Sequence, residues 1–417
     1  MSEFIIEGRT PLKGEIKVAG NKNAALPIIA AAALTDEDCL IKNVPKIRDV
    51  EVMLDLLVEL GRKVEWQDSS TIIITGELEH SSLNKKSASK LRASILFASP
   101  LLAKFGHTEF PPPGGCVIGR RRLDSNLDVF SALGAEENFD DDVYKLILSS
   151  DRREKLFLKE ASVTATENAL LLAANLEGEF TIYNAASEPH VEDLAIVLKK
   201  MGAEIKGEGT NRIFIKGSRK LSGFEHSVVP DHIEAGTFAV AAAATGGSLV
   251  IHDAVEEHLQ MTLYHLNRMS VDFELQDNIL TIKKSNLKCG THKVQVGLWP
   301  AFPTDLMSPF IVLATQTEGV TLCHDWMFES RMFFVDKLII MGAEITQCDP
   351  HRVLVYGPSR LRGQSLSSPD IRAGIALVIA AMAAEGKSRI DHVELIDRGY
   401  VEIDKRLNEL GAKITRV

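Results

Sequence analysis

One pattern recurs six times along the chain and limits the folds open to it. An apolar helix of small residues leads into a turn, often carrying glycine, and then into a short strand. The copies read AALPIIAAAALTDEDCLIKN from Ala24, ILFASPLLAKFGHTEF from Ile95, ENALLLAANLEGEFTIYN from Glu167, AGTFAVAAAATGGSLVIHD from Ala235, SPFIVLATQTEGVTLCHD from Ser308 and AGIALVIAAMAAEGKSRIDH from Ala373. The longest apolar runs, such as Ala235–Thr245 and Ala373–Ala384, fall well short of the roughly 20 residues that a membrane span needs. They read as buried helices.

A second pattern interleaves with the first. An amphipathic helix ends in Leu-Gly or Met-Gly and is followed by an alternating strand, as in ELGRKVEW, ALGAEENF, KMGAEIKG, IMGAEITQ and ELGAKITR. Gly61, Gly134, Gly202, Gly342 and Gly411 fit helix C′ positions, where a left-handed backbone costs glycine little. In NRMSVDFEL, Ser270 takes that place. The period of about 70 residues is too long for a solenoid unit. It predicts an α/β subdomain with two helices and a few strands, repeated six times, with short sheets covered on one face. The N-terminal IIEGRTPLKGEIKVAG precedes the first helix and is expected to pair far from its sequence neighbours.

The 417 residues suggest about two or three domains. Lys and Arg number 47 against 57 Asp and Glu, a formal net charge of −10. That argues against a general nucleic-acid binder while leaving room for a local basic pocket. The five cysteines, Cys39, Cys116, Cys289, Cys323 and Cys348, form no CxxC pair, so a zinc site or redox dithiol has little support. The N-terminus, MSEFIIEGRT, has no basic flank followed by an apolar stretch. A cytoplasmic protein with free thiols is expected.

Polar residues decorate each apolar helix at its entrance: Lys22-Asn23, Arg92, Ser162-Val163-Thr164, Asp231, Thr304-Asp305, and Asp370 with Arg372. A helix N-terminus attracts anions, and an added Lys or Arg strengthens the attraction. Taken singly, each is equally a solvated cap. Taken together, they predict anion sites gathered on one side of each domain.

The segment FPPPGGCVIGRRRLD, Phe110 to Asp124, interrupts the repeat with prolines, glycines and three arginines, and reads as an exposed loop. Cys116 stands beside Arg120, Arg121 and Arg122, cations that stabilise a thiolate. It is the one candidate reactive thiol, with an inert loop cysteine as the alternative. Further arginines follow the strands of the fifth and sixth copies, in Phe328-Glu329-Ser330-Arg331 and Ile396-Asp397-Arg398-Gly399-Tyr400. Arginine suits bidentate capture of carboxylate or phosphate. The set fits a small polyanion that carries both. GEGTNR at Gly207 lacks the third glycine of a dinucleotide fingerprint and precedes a strand, and GxxxxGK[ST], HExxH and GxSxG are missing.

GNKNAALP at Gly20, NVPKIRDV at Asn43, LRAS at Leu91, PGGCVIGRR at Pro113, PDHIEAGTF at Pro230, AFPTD at Ala301, FESR at Phe328, DIRA at Asp370 and IDRGY at Ile396 together resemble the enolpyruvyl transferases. The likeness runs over essentially the whole chain. It favours the branch that acts on UDP-N-acetylglucosamine over the shikimate-pathway branch, which lacks the PGGC loop. The resemblance implies an inside-out α/β barrel of two domains, each with three βαβαββ units. It places one domain at 22–229, the other at 1–21 plus 230–417, and the active site in the cleft between them.

It further implies transfer of enolpyruvate from phosphoenolpyruvate to the sugar 3-hydroxyl of UDP-N-acetylglucosamine, with phosphate released, by addition and elimination through a tetrahedral intermediate. This is the first committed step of peptidoglycan synthesis. No cofactor or metal, nucleic acid or membrane insertion is implied. Lys22, Arg121 and Arg398 would hold the phosphate, and Arg331 and Arg372 the carboxylate. Cys116 would be the acid toward the methylene carbon, and Asp305 the base for the hydroxyl. On the UDP-sugar side stand Asn23, Arg92, Arg121, Asp124, Ser162, Val163, Thr164, Asp305 and Met327. Departures from the family pattern fall on or near that side: Arg122, Ser125, Asn126, Thr164, Met307 and Ser330. They leave a paralogue using another nucleotide or sugar acceptor as the alternative. A non-catalytic nucleotide- or anion-binding protein is a second alternative, and retention of both an acid and a base speaks against it.

Overall fold

The structure, a computed structural model, describes residues 2–114 and 123–417. Its described residues form two compact units, one of residues 2–19 and 230–417, the other of residues 20–114 and 123–229.

In the first unit three apolar helices, His232–Ala244, Met307–Gln316 and Ile371–Ala383, pack against one another. Every residue from Ile371 to Met382 is buried. Small side chains allow this, because alanine and glycine let neighbouring backbones approach closely. Gly236 is the clearest case: a Cβ there would lie 2.7 Å from a methyl of Leu306. Three four-stranded sheets surround these helices. Lys13–Lys17 pairs in parallel with Ser248–His252, which is followed in antiparallel order by Ile279–Ile282 and Phe273–Gln276. Lys288–Gln295, Glu318–His324, Arg352–Gly357 and Glu344–Asp349 repeat that order. So do Ser365–Ser367, Lys387–Asp391, Glu3–Glu7 and Ile414–Arg416.

The second unit repeats the plan around the helices Lys22–Ala31, Ala98–Phe105 and Val163–Asn175. Two of its sheets have the same parallel–antiparallel–antiparallel order. One runs Glu225–Ser227, Cys39–Lys42, Ile72–Thr75, Lys63–Trp66. The other runs Lys155–Phe157, Glu179–Tyr183, Arg212–Lys216, Glu204–Lys206. The third has three strands, His107–Phe110, Val143–Leu148 and Ala135–Asp140, and a parallel bridge from Ser82 to Glu109 stands in for the fourth. Strands such as Glu179–Tyr183 bury alternate residues, giving each sheet one covered face.

The N-terminal segment pairs far along the chain. Glu3–Glu7 completes the last repeat, Phe4 lying opposite both Ile390 and Arg416. Lys13–Lys17 is an edge strand of the first unit and Glu225–Ser227 an edge strand of the second, and the chain runs on from each into the other unit. The turn glycines take the left-handed backbone, with φ between 95° at Gly134 and 113° at Gly61 and Gly202. Ser270 adopts it too, at φ 58°, and its hydroxyl donates to the Lys288 carbonyl at 2.7 Å, a bond that helps offset the missing glycine. The second apolar copy starts as a 3-10 turn, Arg92–Phe97, before becoming α-helical at Ala98. Among the described residues no helix is long and apolar enough to cross a membrane.

Candidate active site

In the first unit the starts of the three apolar helices are tied together by polar side chains. Asp231 caps His232–Ala244, its Oδ1 accepting from the backbone N–H groups of Ile233 and Glu234 at 2.8 and 3.2 Å. Asp370 caps Ile371–Ala383 in the same way, accepting from Arg372 and Ala373 at 2.8 and 3.0 Å. Asp305 sits in the 3-10 turn Thr304–Leu306 that leads into Met307–Gln316.

Asp305 lies between two arginines. Arg331 donates through Nη2 to Oδ1 at 3.1 Å. Arg372 approaches Oδ2 with Nε at 3.0 Å and Nη2 at 2.9 Å. Both arginines are buried, at 2% and 6% exposure, whereas the Asp305 side chain keeps 27%. The carboxylate is therefore the accessible member of the group. Arg372 is held from behind as well: Nη1 donates to the Tyr400 hydroxyl at 3.0 Å, and the guanidinium lies 5.4 Å from the Tyr400 ring centre. Tyr400 in turn hydrogen-bonds Thr237 at 3.0 Å. Burial works against the Arg372 charge, but Asp305, Tyr400 and Asp231 outweigh it and hold the group protonated. Burial pushes the Asp231 carboxyl up to about 6, with Arg372 opposing and Glu234 adding to the rise.

The segment carrying Arg331 is set by Asp325, a completely buried acid. Its Oδ1 accepts from the N–H groups of Met327 and Phe328 at 3.0 and 3.3 Å, and its Oδ2 accepts from the Thr304 hydroxyl at 2.5 Å. Arg331 lies 5.3 Å from the Phe328 ring centre. Arg398 ends the 3-10 turn Val393–Arg398, two residues before Tyr400.

In the second unit Lys22 opens the helix Lys22–Ala31, capped by Asn21. Its ammonium pairs with Asp49 at 2.6 Å, and both side chains are largely buried. Asn23 is half-buried in the same first turn. Arg92 opens the 3-10 turn of the second copy. Ser162 caps Val163–Asn175, which begins Val163-Thr164, and Asp124 is exposed at the start of Asp124–Ala132. Below the Ser162 cap, Glu167 is buried. Burial raises its carboxyl well above the usual range, with Glu188 adding to the rise, and burial raises Glu188 as well.

The structure thus brings together Asp305 and Arg331 of the fifth repeat with Arg372 of the sixth, and Lys22 with an acid. Cys116, Arg121 and Arg122 lie outside the described residues. Of the residues expected near the acceptor, Asn126 is buried and accepts from Asn168 at 3.0 Å, and Ser125 bonds Glu160 at 2.6 Å. Met307 is fully buried in the core. Asp49 and Asp325 were not singled out in the sequence. An acid in a helix first turn and an acid just after a strand are common, and only the fold shows their partners.

Two buried arginines gathered at one acid, in a fold of six like sheets, make a site suited to a small anionic substrate. The chain belongs to the EPSP synthase (3-phosphoshikimate 1-carboxyvinyltransferase) family, whose model matches residues 6–407. It is 47% identical over 426 residues to the UDP-N-acetylglucosamine 1-carboxyvinyltransferase of Treponema denticola, covering 99% of each chain. It is 46% identical over 432 residues to the enzyme of the same name from Bradyrhizobium diazoefficiens, covering 100% of this chain and 98% of that one. In fold it is similar to the enolpyruvyl transferase NikO from Streptomyces tendae, with a TM-score of 0.90 at 21% identity, covering 100% of this chain and 99% of that one.

Proposed function

We propose that this protein transfers enolpyruvate from phosphoenolpyruvate to the 3-hydroxyl of UDP-N-acetylglucosamine, releasing phosphate, in the first committed step of peptidoglycan synthesis. The relatives that carry that activity in their names are full-length matches. The observation that carries the reading is Asp305 held between Arg331 and Arg372.

In this reading Asp305 takes the proton of the sugar hydroxyl, whose oxygen then attacks C2 of phosphoenolpyruvate. Cys116 gives a proton to the methylene carbon, closing a tetrahedral intermediate. A proton then leaves the new methyl group, the C–O bond to phosphate breaks, and the alkene re-forms. Arg331 and Arg372 hold the carboxylate, and Lys22, Arg121 and Arg398 the phosphate. Fixed guanidinium groups suit this task because they need not reorganise as charge moves onto the leaving group. Asn23, Arg92, Asp124, Ser162, Val163, Thr164 and Met327 serve the UDP-sugar. The protein works in the cytoplasm.

The test is phosphate release from phosphoenolpyruvate in the presence of UDP-N-acetylglucosamine, of shikimate 3-phosphate, or of neither. Release that requires UDP-N-acetylglucosamine is the expected result. Release with another acceptor alone would assign the chain to a different transfer, and silence with every acceptor would overturn the activity.

A further inference from the structure

We propose that Asp325 is a positioning residue for the transfer: a buried carboxylate that holds the turn bearing Asp305 and the segment bearing Arg331 in one fixed relation. The role rests on the reading that Asp305 is the base and that Arg331 binds the carboxylate of phosphoenolpyruvate. Asp325 has 0% exposure, so it does not touch substrate and acts through its neighbours.

Asp325 directly follows the strand Glu318–His324, and its own backbone is fixed on both sides. Its N–H donates to the His351 carbonyl at 2.9 Å, and its carbonyl accepts from His351 Nδ1 at 2.8 Å. One side-chain oxygen receives the Thr304 hydroxyl at 2.5 Å, and Thr304 is the residue before Asp305 in a single 3-10 turn. The other receives the N–H groups of Met327 and Phe328, which fold the chain toward Arg331. Arg331 Nε lies 3.9 Å from Oδ2 and has no hydrogen-bond partner among the described residues. The Asp325 charge is therefore what faces that edge of the guanidinium, while Nη2 reaches Asp305 on another.

The chemistry requires a carboxylate. Among the described residues the groups that bond or pair with the Asp325 side chain, the Thr304 hydroxyl, the Met327 and Phe328 N–H groups and Arg331, all act as donors, and an ionised carboxylate is acceptor-only through both oxygens. Asparagine has the same shape but would turn an NH₂ either at Thr304 and Arg331 or at the two backbone N–H groups. A buried arginine that loses its opposing charge is also left uncompensated. Burial raises the Asp325 carboxyl above its ordinary range, opposed by the Thr304 hydroxyl and Arg331.

The experiment is steady-state phosphate release by the full chain, with phosphoenolpyruvate and UDP-N-acetylglucosamine each varied, for Asp325→Asn, Arg331→Lys and the double variant. Asp325→Asn is expected to lower kcat/KM for phosphoenolpyruvate about 10- to 100-fold, with the KM for the sugar nucleotide changed by less than about 3-fold. In the Arg331→Lys background the same change is expected to cost only about 5-fold, the part that acts through Thr304 and Asp305, because its route through Arg331 is already lost. Equal losses in both backgrounds, or a native KM for phosphoenolpyruvate in Asp325→Asn, would overturn the role. A native KM in Arg331→Lys would overturn the reading of Arg331 and this role with it. Should Asp325→Asn give no cooperative melt, Thr304→Val tests the same link with the acid in place. A loss of about 5-fold or more in kcat with KM for phosphoenolpyruvate unchanged supports the role, and a native kcat overturns it.

Discussion

Arg372 meets Asp305 side-on, Nε at 3.0 Å and Nη2 at 2.9 Å from the same carboxylate oxygen, while its remaining nitrogen donates to Tyr400. A lysine cannot reproduce that fork, because its ammonium is a single point of charge. Arg372→Lys is expected to lower kcat/KM for phosphoenolpyruvate by about 100-fold, mostly through KM. Steady-state kinetics with the sugar nucleotide saturating checks this.

Tyr400 supports the same guanidinium from the core. Tyr400→Phe keeps the ring beneath Arg372 but removes the hydroxyl shared by Arg372 and Thr237. It is expected to cost about 1–3 kcal/mol in unfolding free energy, since two buried polar groups lose a partner. Denaturant unfolding measures the loss, and a native midpoint would contradict it.

His265 and His292 form a buried pair away from these groups, Nδ1 to Nε2 at 3.0 Å, with His265 edge-on to Phe302. Burial draws His265 down to about 4 from its ordinary 6.5, with His292 adding to the fall, and burial also lowers His292. A depressed histidine contributes stability that is complete above its unfolded pKa and is lost as pH falls through the folded value. His265 alone should therefore cost up to about 3 kcal/mol of stability between pH 6.5 and pH 4. Unfolding curves across that window should show the drop in the native chain and a flatter dependence in His265→Gln.

Glu167 gives the opposite sign. Its carboxyl is raised by burial first and Glu188 second, and Oε1 has no hydrogen-bond partner among the described residues. A raised acid favours folding below its unfolded pKa, and that contribution disappears as pH rises toward the folded value. The stability of Glu167→Gln relative to the native chain is expected to grow from pH 4.5 to pH 8. Thermal melts at the two pH values decide it, and a constant gap would contradict it.

The repeats were legible because each repeat needs an apolar helix of small residues and a left-handed turn, and both leave local marks in the sequence. Ser270 shows the limit of that signal: it takes the glycine conformation with a side-chain bond that only the fold reveals. The pairing of Glu3–Glu7 with Lys387–Asp391 was not legible in its register, since a partner some 380 residues away leaves no local pattern. In the candidate site the helix-entrance residues Asp305 and Arg372 were legible as decorations that no core pattern explains. Asp325 and the Arg372–Tyr400 contact were not. A buried acid is recognisable only from what surrounds it, and Tyr400 reads as core until its hydroxyl is seen against Arg372.

In the proposed reading Asp305 is the base of an enolpyruvyl transfer. Its most direct test is initial-rate phosphate release from phosphoenolpyruvate with UDP-N-acetylglucosamine by the native chain, Asp305→Asn and Cys116→Ala. Acceptor-dependent release by the native chain, a loss of about 10²- to 10⁴-fold in Asp305→Asn, and a weakened rate in Cys116→Ala are the expected results. A folded Asp305→Asn that releases phosphate at the native rate would contradict that reading.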